Sequence, residues 1–225
     1  MAFYAQFPSF LGPILLRSHG AGLTGLYFVG QRDCPILSGL PAVAPEGAKP
    51  SAGTLHGLPM KTFKVFKRTN GDLFDGEAHY SPQALVHNPD GHPEQPGLAL
   101  LQADTPASVR ALFERSHDEL VEYLGGGRQS FTVPLELQGT AFQKRIWEAL
   151  LAIPFGSFVS YGDVARTAGL SGGHGRAVGT AVGRNPLTIV VPCHRVLSTS
   201  GTLNGYSGGL ARKLALLRLE GFSVR

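Results

Sequence analysis

The sequence predicts a mixed α/β chain of the α+β kind, with a small N-terminal sheet-plus-helix domain followed by a C-terminal helix-turn-helix-like domain. Three observations carry that reading: a strand–turn–strand pattern near the start, a series of capped helices from about residue 106 onward, and a reversal of charge between the halves. Residues 1–127 hold 9 Lys and Arg against 12 Asp and Glu, a net of −3, and residues 128–225 hold 11 against 4, a net of +7, which together give the chain's +4.

Length and composition set the outer bounds. An apolar fraction of 43% over 225 residues suffices for a buried core and excludes disordered and fibrous classes for most of the chain. No apolar run approaches the roughly 18 residues of a membrane helix, and Met1 to Arg17 has no basic segment ahead of an apolar core. A cytoplasmic protein with no membrane partner is expected. Cys34 and Cys193 are too few for a disulfide scaffold or an all-cysteine zinc site, so each is either a small buried residue or a nucleophile. Cys34 with His19, His56 or His79 matches no zinc spacing, and no metal site is expected.

The elements follow in order. Pro13 to Arg17 and Leu23 to Val29 are apolar runs flanking His19-Gly20-Ala21-Gly22, the signature of a hairpin. From Gln31 to Pro106 the chain turns rich in Pro and Gly; only short runs such as Thr62 to Phe66 suggest a further strand, and the stretch reads as a long insertion. Thr105 reads as the cap and Pro106 as the first residue of a helix whose apolar positions are Val109, Leu112, Phe113, Leu120, Val121 and Leu124. Gly125-Gly126-Gly127 ends it, and the polar stretch to Gly139 serves as linker, placing the domain boundary between residues 133 and 134.

Thr140 with Gln143 forms a capping box for the next helix, with Phe142, Ile146, Trp147, Leu150 and Leu151 on its apolar side and a stop before Pro154. Ser160 with Asp163 caps a short helix ending at Gly169, and His174 to Gly183 forms a second. Two brief helices joined by a Gly-containing turn in the basic half suggest a helix-turn-helix. Gly175, Gly179 and Gly183 each cost that second helix roughly 1 kcal/mol relative to alanine, which calls either for tight packing inside the protein or for close approach of another backbone from outside. Ile189-Val190-Val191 reads as a buried strand ended by Pro192, placing Cys193 at its tip beside His194 and Arg195, a setting that lowers a thiol's pKa. Glu220, one of four acidic residues in the basic half, is the candidate to orient His194.

The segment Ile189 to Val196, IVVPCHRV, followed by Asn204 to Gly209, NGYSGG, resembles the methylated-DNA-protein-cysteine methyltransferases, or O6-alkylguanine-DNA alkyltransferases. Phe142 to Trp147, Val159 to Gly162, Arg176 to Gly179 and Gly183 to Pro186 match in the same order, so the similarity covers roughly residues 139–222. The hairpin Gly12 to Gly30 resembles the family's companion domain more loosely.

The resemblance implies a winged helix-turn-helix-like DNA-binding and catalytic domain in residues 134–225, acting as a monomer on double-stranded DNA with no cofactor. Cys193 would accept the alkyl group from O6-alkylguanine once, with O4-alkylthymine a further possible substrate. His194 and Glu220 would draw the thiol proton away through water, Asn185 would brace the network, and Tyr161 would donate toward N3 of the flipped guanine. Arg176 would fill the gap left in the stack, with Ala177, Arg184, Arg195, Val196, Tyr206 and Ser207 also contacting DNA or the base. The competing readings are a non-catalytic helix-turn-helix DNA-binding protein, in which Cys193 is structural, and an alkyl-base-recognition protein, against which the presence of Cys193 argues.

Overall fold

The computed structural model describes residues 1–37, 54–55, 58–59, 65–67, 97–171 and 174–224. Most of the Pro- and Gly-rich stretch, with His56 and His79, lies outside the described residues.

The hairpin forms as expected, with β2 (Ile14–Ser18) antiparallel to β3 (Leu23–Phe28). A strand that the alternation of Phe3, Ala5 and Phe7 encodes, β1 (Phe3–Phe7), precedes it. Two more short strands, β4 (Thr54–Leu55) and β5 (Leu58–Pro59), pair with each other within the Pro- and Gly-rich stretch. Of the strand suggested at Thr62 to Phe66, Val65 and Phe66 are described, and they belong to β6 (Val65–Lys67). After the insertion β7 (Ala99–Leu100) returns to β1, so the first sheet runs β3-β2-β1-β7.

Helix α1 (Ala107–Leu124) lies against this sheet through Val109, Leu112, Phe113, Leu120 and Leu124, which are buried together with Tyr123. Thr105 does not cap it: Pro106 holds the cap position, and the Thr105 hydroxyl donates to the Gln102 carbonyl at 2.7 Å. Beyond the three glycines the chain is tied down by buried Glu119, whose carboxylate accepts from the Thr132 hydroxyl and from the Thr132 and Val133 amides.

The free edge of β3 is closed by two later segments. Leu23 exchanges backbone bonds with Pro134 and Glu136, and Leu26 with Pro186 and Thr188, at 2.8–3.0 Å. All six residues of β3 are buried as a result. A Cβ at its Gly25 would stand 2.4 Å from the Tyr27 ring, so a larger residue there would have to displace that ring.

Helix α2 (Ala141–Leu151) carries the expected Thr140–Gln143 capping box, and buries Ile146, Trp147 and Leu150; Leu151, expected on the apolar side, is exposed. After β8 (Val159–Ser160) comes α3 (Tyr161–Thr167), with the Ser160–Asp163 box in place, and then α4 (Gly175–Gly183). Trp147 locks α2 to α4 by donating Nε1–H to the Ala181 carbonyl at 2.9 Å. One turn of 3₁₀ helix (Cys193–Arg195) leads into β9 (Val196–Leu197), which pairs parallel to β8. Helix α5 (Leu210–Leu219) and β10 (Phe222–Val224) follow, and β10 pairs antiparallel with β6. One apolar cluster runs from Ala5 through the α1–α4 core to Val196 and Leu216. No described helix is long and apolar enough to cross a membrane.

Candidate active site

The reactive segment is a turn braced by one amide. Asn185 accepts from the Leu187 amide at 2.9 Å through Oδ1, and its Nδ2 donates to the Val191 carbonyl at 2.8 Å and to Cys193 Sγ at 3.1 Å. The run Ile189-Val190-Val191 is therefore a turn and not the strand its β-branched residues suggest, and Ile189 takes φ +73°. A β-branched side chain rarely adopts that backbone region, and such strain persists only where the surroundings enforce it. Here the enforcing groups are Asn185 inside the turn and the β3 edge at Leu26 beneath it. Burial on all sides makes such a run look like a strand in sequence.

Cys193 is 3% exposed, His194 is fully buried, and Glu220 caps the C-terminal end of α5. His194 Nε2 lies 2.9 Å from Glu220 Oε1, while its Nδ1 is buried without a hydrogen-bond partner among the described residues. Burial opposes charge on Glu220, but hydrogen bonds from His194 and Arg195 outweigh it and hold the carboxyl at about 2. Burial also lowers the His194 pKa, with Glu220 pulling the other way, so the ring is neutral at pH 7 with Nε2–H donated to the carboxylate. The cysteine departs from expectation: burial pushes its thiol up, and Asn185 and Lys213 only partly counter this. The sulfur rests protonated, and its activation requires a base.

Arg195 is not available to a partner. Its guanidinium bonds both Glu220 oxygens at 2.8–3.1 Å and the Ile153 carbonyl at 2.6 Å, and its side chain is 7% exposed. The arginine two residues after the cysteine therefore holds the carboxylate, because a buried carboxylate needs a paired cation.

Tyr161, Tyr206 and Lys213 surround the thiol closely enough to respond to its charge. Burial, then the neighbouring sulfur, raises the Tyr161 pKa, so its phenol is a donor that keeps its proton. The Tyr206 hydroxyl and the Ser207 Oγ are buried and lack protein partners among the described residues. Val196 is fully buried, and its carbonyl accepts from Lys213 Nζ at 2.6 Å.

Two contributors escaped the sequence reading. Lys213, fully buried with a pKa lowered by burial to about 8, occupies the apolar register of α5 between Leu210 and Leu217, a misplaced charge that is itself the legible signal. Tyr123 shares the apolar face of α1 with Leu120, and nothing in that periodicity distinguishes it from core.

On the outer surface Arg176, Ala177, Thr180 and Arg184 are exposed on or just after α4, whose inner face buries Val178, Ala181 and Val182. The glycines of this helix are not required by internal packing. A Cβ at Gly175 meets nothing within 4 Å, one at Gly179 meets the Tyr161 ring at 3.9 Å, and one at Gly183 meets Arg32 Nη2 at 3.6 Å. All of these are open space or ordinary contact.

Residues 141–222 match the family model of the 6-O-methylguanine DNA methyltransferase DNA-binding domain. The methylated-DNA–protein-cysteine methyltransferase of Mycobacterium tuberculosis is 52% identical over 108 residues, which are 48% of this chain and 65% of that protein, just under two thirds of its length. The Shigella flexneri protein of the same name is 40% identical over 141 residues, 62% of this chain and 78% of the relative. The crystal structure of the M. tuberculosis O6-methylguanine methyltransferase superposes with a TM-score of 0.59 at 31% identity, covering 98% of this chain and 93% of that one. A structure of the M. tuberculosis OGT in complex with DNA gives 0.58 at 32%, covering 96% and 91%. With a relative 40% identical matched over 78% of its length, and with the cysteine, histidine and asparagine assembled as described, this chain belongs to the methylated-DNA–protein-cysteine methyltransferase family.

Proposed function

We propose that this protein repairs double-stranded DNA by moving the alkyl group of O6-alkylguanine onto Cys193, once per molecule and as a monomer. The observation that carries the reading is the Asn185 Nδ2 to Cys193 Sγ contact of 3.1 Å, formed beside a neutral histidine whose other nitrogen is held by an ionised glutamate.

In this reading the thiol proton passes to His194 Nδ1, directly or through a water, and the imidazolium is stabilised by Glu220 across the 2.9 Å contact. Asn185 and the ammonium of Lys213 stabilise the thiolate. Its sulfur attacks the alkyl carbon; the carbon–sulfur bond forms as the carbon–O6 bond breaks, and the electron pair departs into the guanine. Tyr161 donates toward N3 of the leaving base, help of a kind worth about 10² to 10⁴ in rate. Tyr206 and Ser207 supply hydroxyls free to meet the base edge, and the Val196 backbone contributes a further contact. A thioether does not hydrolyse readily, so the protein is spent in the act.

The duplex cannot bring guanine to a buried sulfur while the base stays stacked, so extrusion is required, at a cost of a few kcal/mol. Arg176, Ala177 and Arg184 supply the exposed surface for this, with α4 in the minor groove and the Arg176 side chain entering the vacated stack. The glycines of α4 admit the sugar–phosphate backbone.

The test is intact mass after incubation with an oligonucleotide carrying one O6-methylguanine. One methyl appears on Cys193, and Cys193→Ala gains none while still binding the DNA; several turnovers per molecule, or no adduct, would overturn the assignment.

A further inference from the structure

The carboxylate that orients His194 is shared with a group from the other half of the chain. Tyr123, in the last turn of α1, donates its hydroxyl to Glu220 Oε1 at 2.7 Å, the shortest of that oxygen's contacts, and lies 3.5 Å from His194 Nε2. The same oxygen accepts from Arg195 at 2.8 and 3.1 Å and from His194 at 2.9 Å; Oε2 accepts from Arg195 at 2.9 Å and from the Gly156 amide at 3.3 Å. Tyr123 is fully buried, and its ring is wedged edge-on to Phe155, with centroids 6.2 Å apart, and tilted against Phe131 at 5.2 Å.

We propose that Tyr123 is a positioning residue for alkyl transfer: by occupying Glu220 Oε1 alongside Arg195 it fixes the oxygen that His194 Nε2–H must find, and limits how strongly that oxygen pulls on the ring. The proposal rests on the reading of Cys193, His194 and Glu220 given above. A carboxylate with lone pairs to spare would rotate toward the stronger donor, Arg195; a third donor aimed at Oε1 leaves one orientation for the histidine. The groups facing His194 are Glu220 and Lys213 from α5 and its end, Tyr123 from α1, and Arg195 and Cys193 on its own turn. Of these, only Tyr123 comes from the N-terminal half, so that half contributes to the chemistry and not only to the support of β3.

The test is Tyr123→Phe, which deletes the hydroxyl and keeps the ring between Phe131 and Phe155. Rates of methyl transfer are measured across pH on a single-stranded oligonucleotide carrying O6-methylguanine, with Phe131→Leu as a control that loosens the same packing without touching the carboxylate. Tyr123→Phe is expected to move the acid limb of the rate profile upward by about 0.5–1 pH unit, because a carboxylate with one donor fewer holds the imidazolium more tightly. The plateau rate is expected to fall about fivefold to tenfold, the scale of one lost hydrogen bond. Phe131→Leu should lower thermal stability and leave the limb in place. A Tyr123→Phe profile superimposable on wild type, or an equal displacement in Phe131→Leu, overturns the inference. If wild type forms no adduct on Cys193, the underlying reading has failed instead.

Discussion

Replacing Gly179 with alanine separates the two explanations for glycine in α4, because they predict effects of opposite sign. Gly179 is the fifth residue of the nine-residue helix, and an added Cβ meets only the Tyr161 ring at 3.9 Å, an ordinary contact. No internal clash opposes the substitution, so the helix gains the propensity difference of about 1 kcal/mol, which in a protein of this size raises Tm by about 2–4 °C. The same methyl stands on the flank of α4 between buried Val178 and exposed Thr180, where the proposed groove contact is made. Forcing a methyl into a closely packed contact costs about 1–3 kcal/mol, a loss of at least about fivefold in duplex affinity. Thermal melts give the first quantity, and fluorescence anisotropy with a labelled duplex at fixed salt gives the second. A destabilised variant would refute the internal-packing argument, and a stabilised variant that binds duplex as tightly as wild type would refute the groove argument.

Two further outcomes follow from the site. Arg176→Ala should slow repair of duplex far more than reaction with free O6-benzylguanine, because only the duplex requires a base to be extruded and its place filled; equal losses on both substrates would remove Arg176 from that role. Glu220 binds its proton more weakly in the folded state, at about 2 against an ordinary 4.5, so its contribution to stability is complete above about pH 4.5 and is lost as pH falls toward 2. That contribution is on the order of 3 kcal/mol. Urea titrations from pH 7 to 3 should show Glu220→Gln less stable at neutral pH and less sensitive to acid; parallel acid dependence in both proteins would mean that the Arg195–Glu220 pair does not hold the fold.

Much of the local architecture is legible because it depends on groups a few residues apart. Both capping boxes, Thr140 with Gln143 and Ser160 with Asp163, form where side-chain type and spacing say they should. The hairpin at His19 to Gly22 follows from turn residues between apolar runs. Misreadings arise where a distant segment decides. Arg195 belongs to a basic half yet faces inward, because Glu220, 25 residues on, needs a cation once it is buried.

The sequence by itself determined the reactive residue types and their order: a cysteine followed by a histidine, a preceding asparagine, a short helix pair and an arginine at the head of its second member. Only the tertiary structure decided what those groups do to one another. Closing the β3 edge with Pro186 and Thr188 turns a β-branched run into a loop, and so brings Asn185 to the sulfur. Packing α1 against the end of α5 brings Tyr123 to the carboxylate that His194 also uses. Burial then reverses the expected acidity of the thiol, since removing a sulfur from water disfavours its anion more than one amide donor and a lysine that is itself buried can restore. Solvent exclusion is a property of the assembled core, and no adjacent pair of residues encodes it.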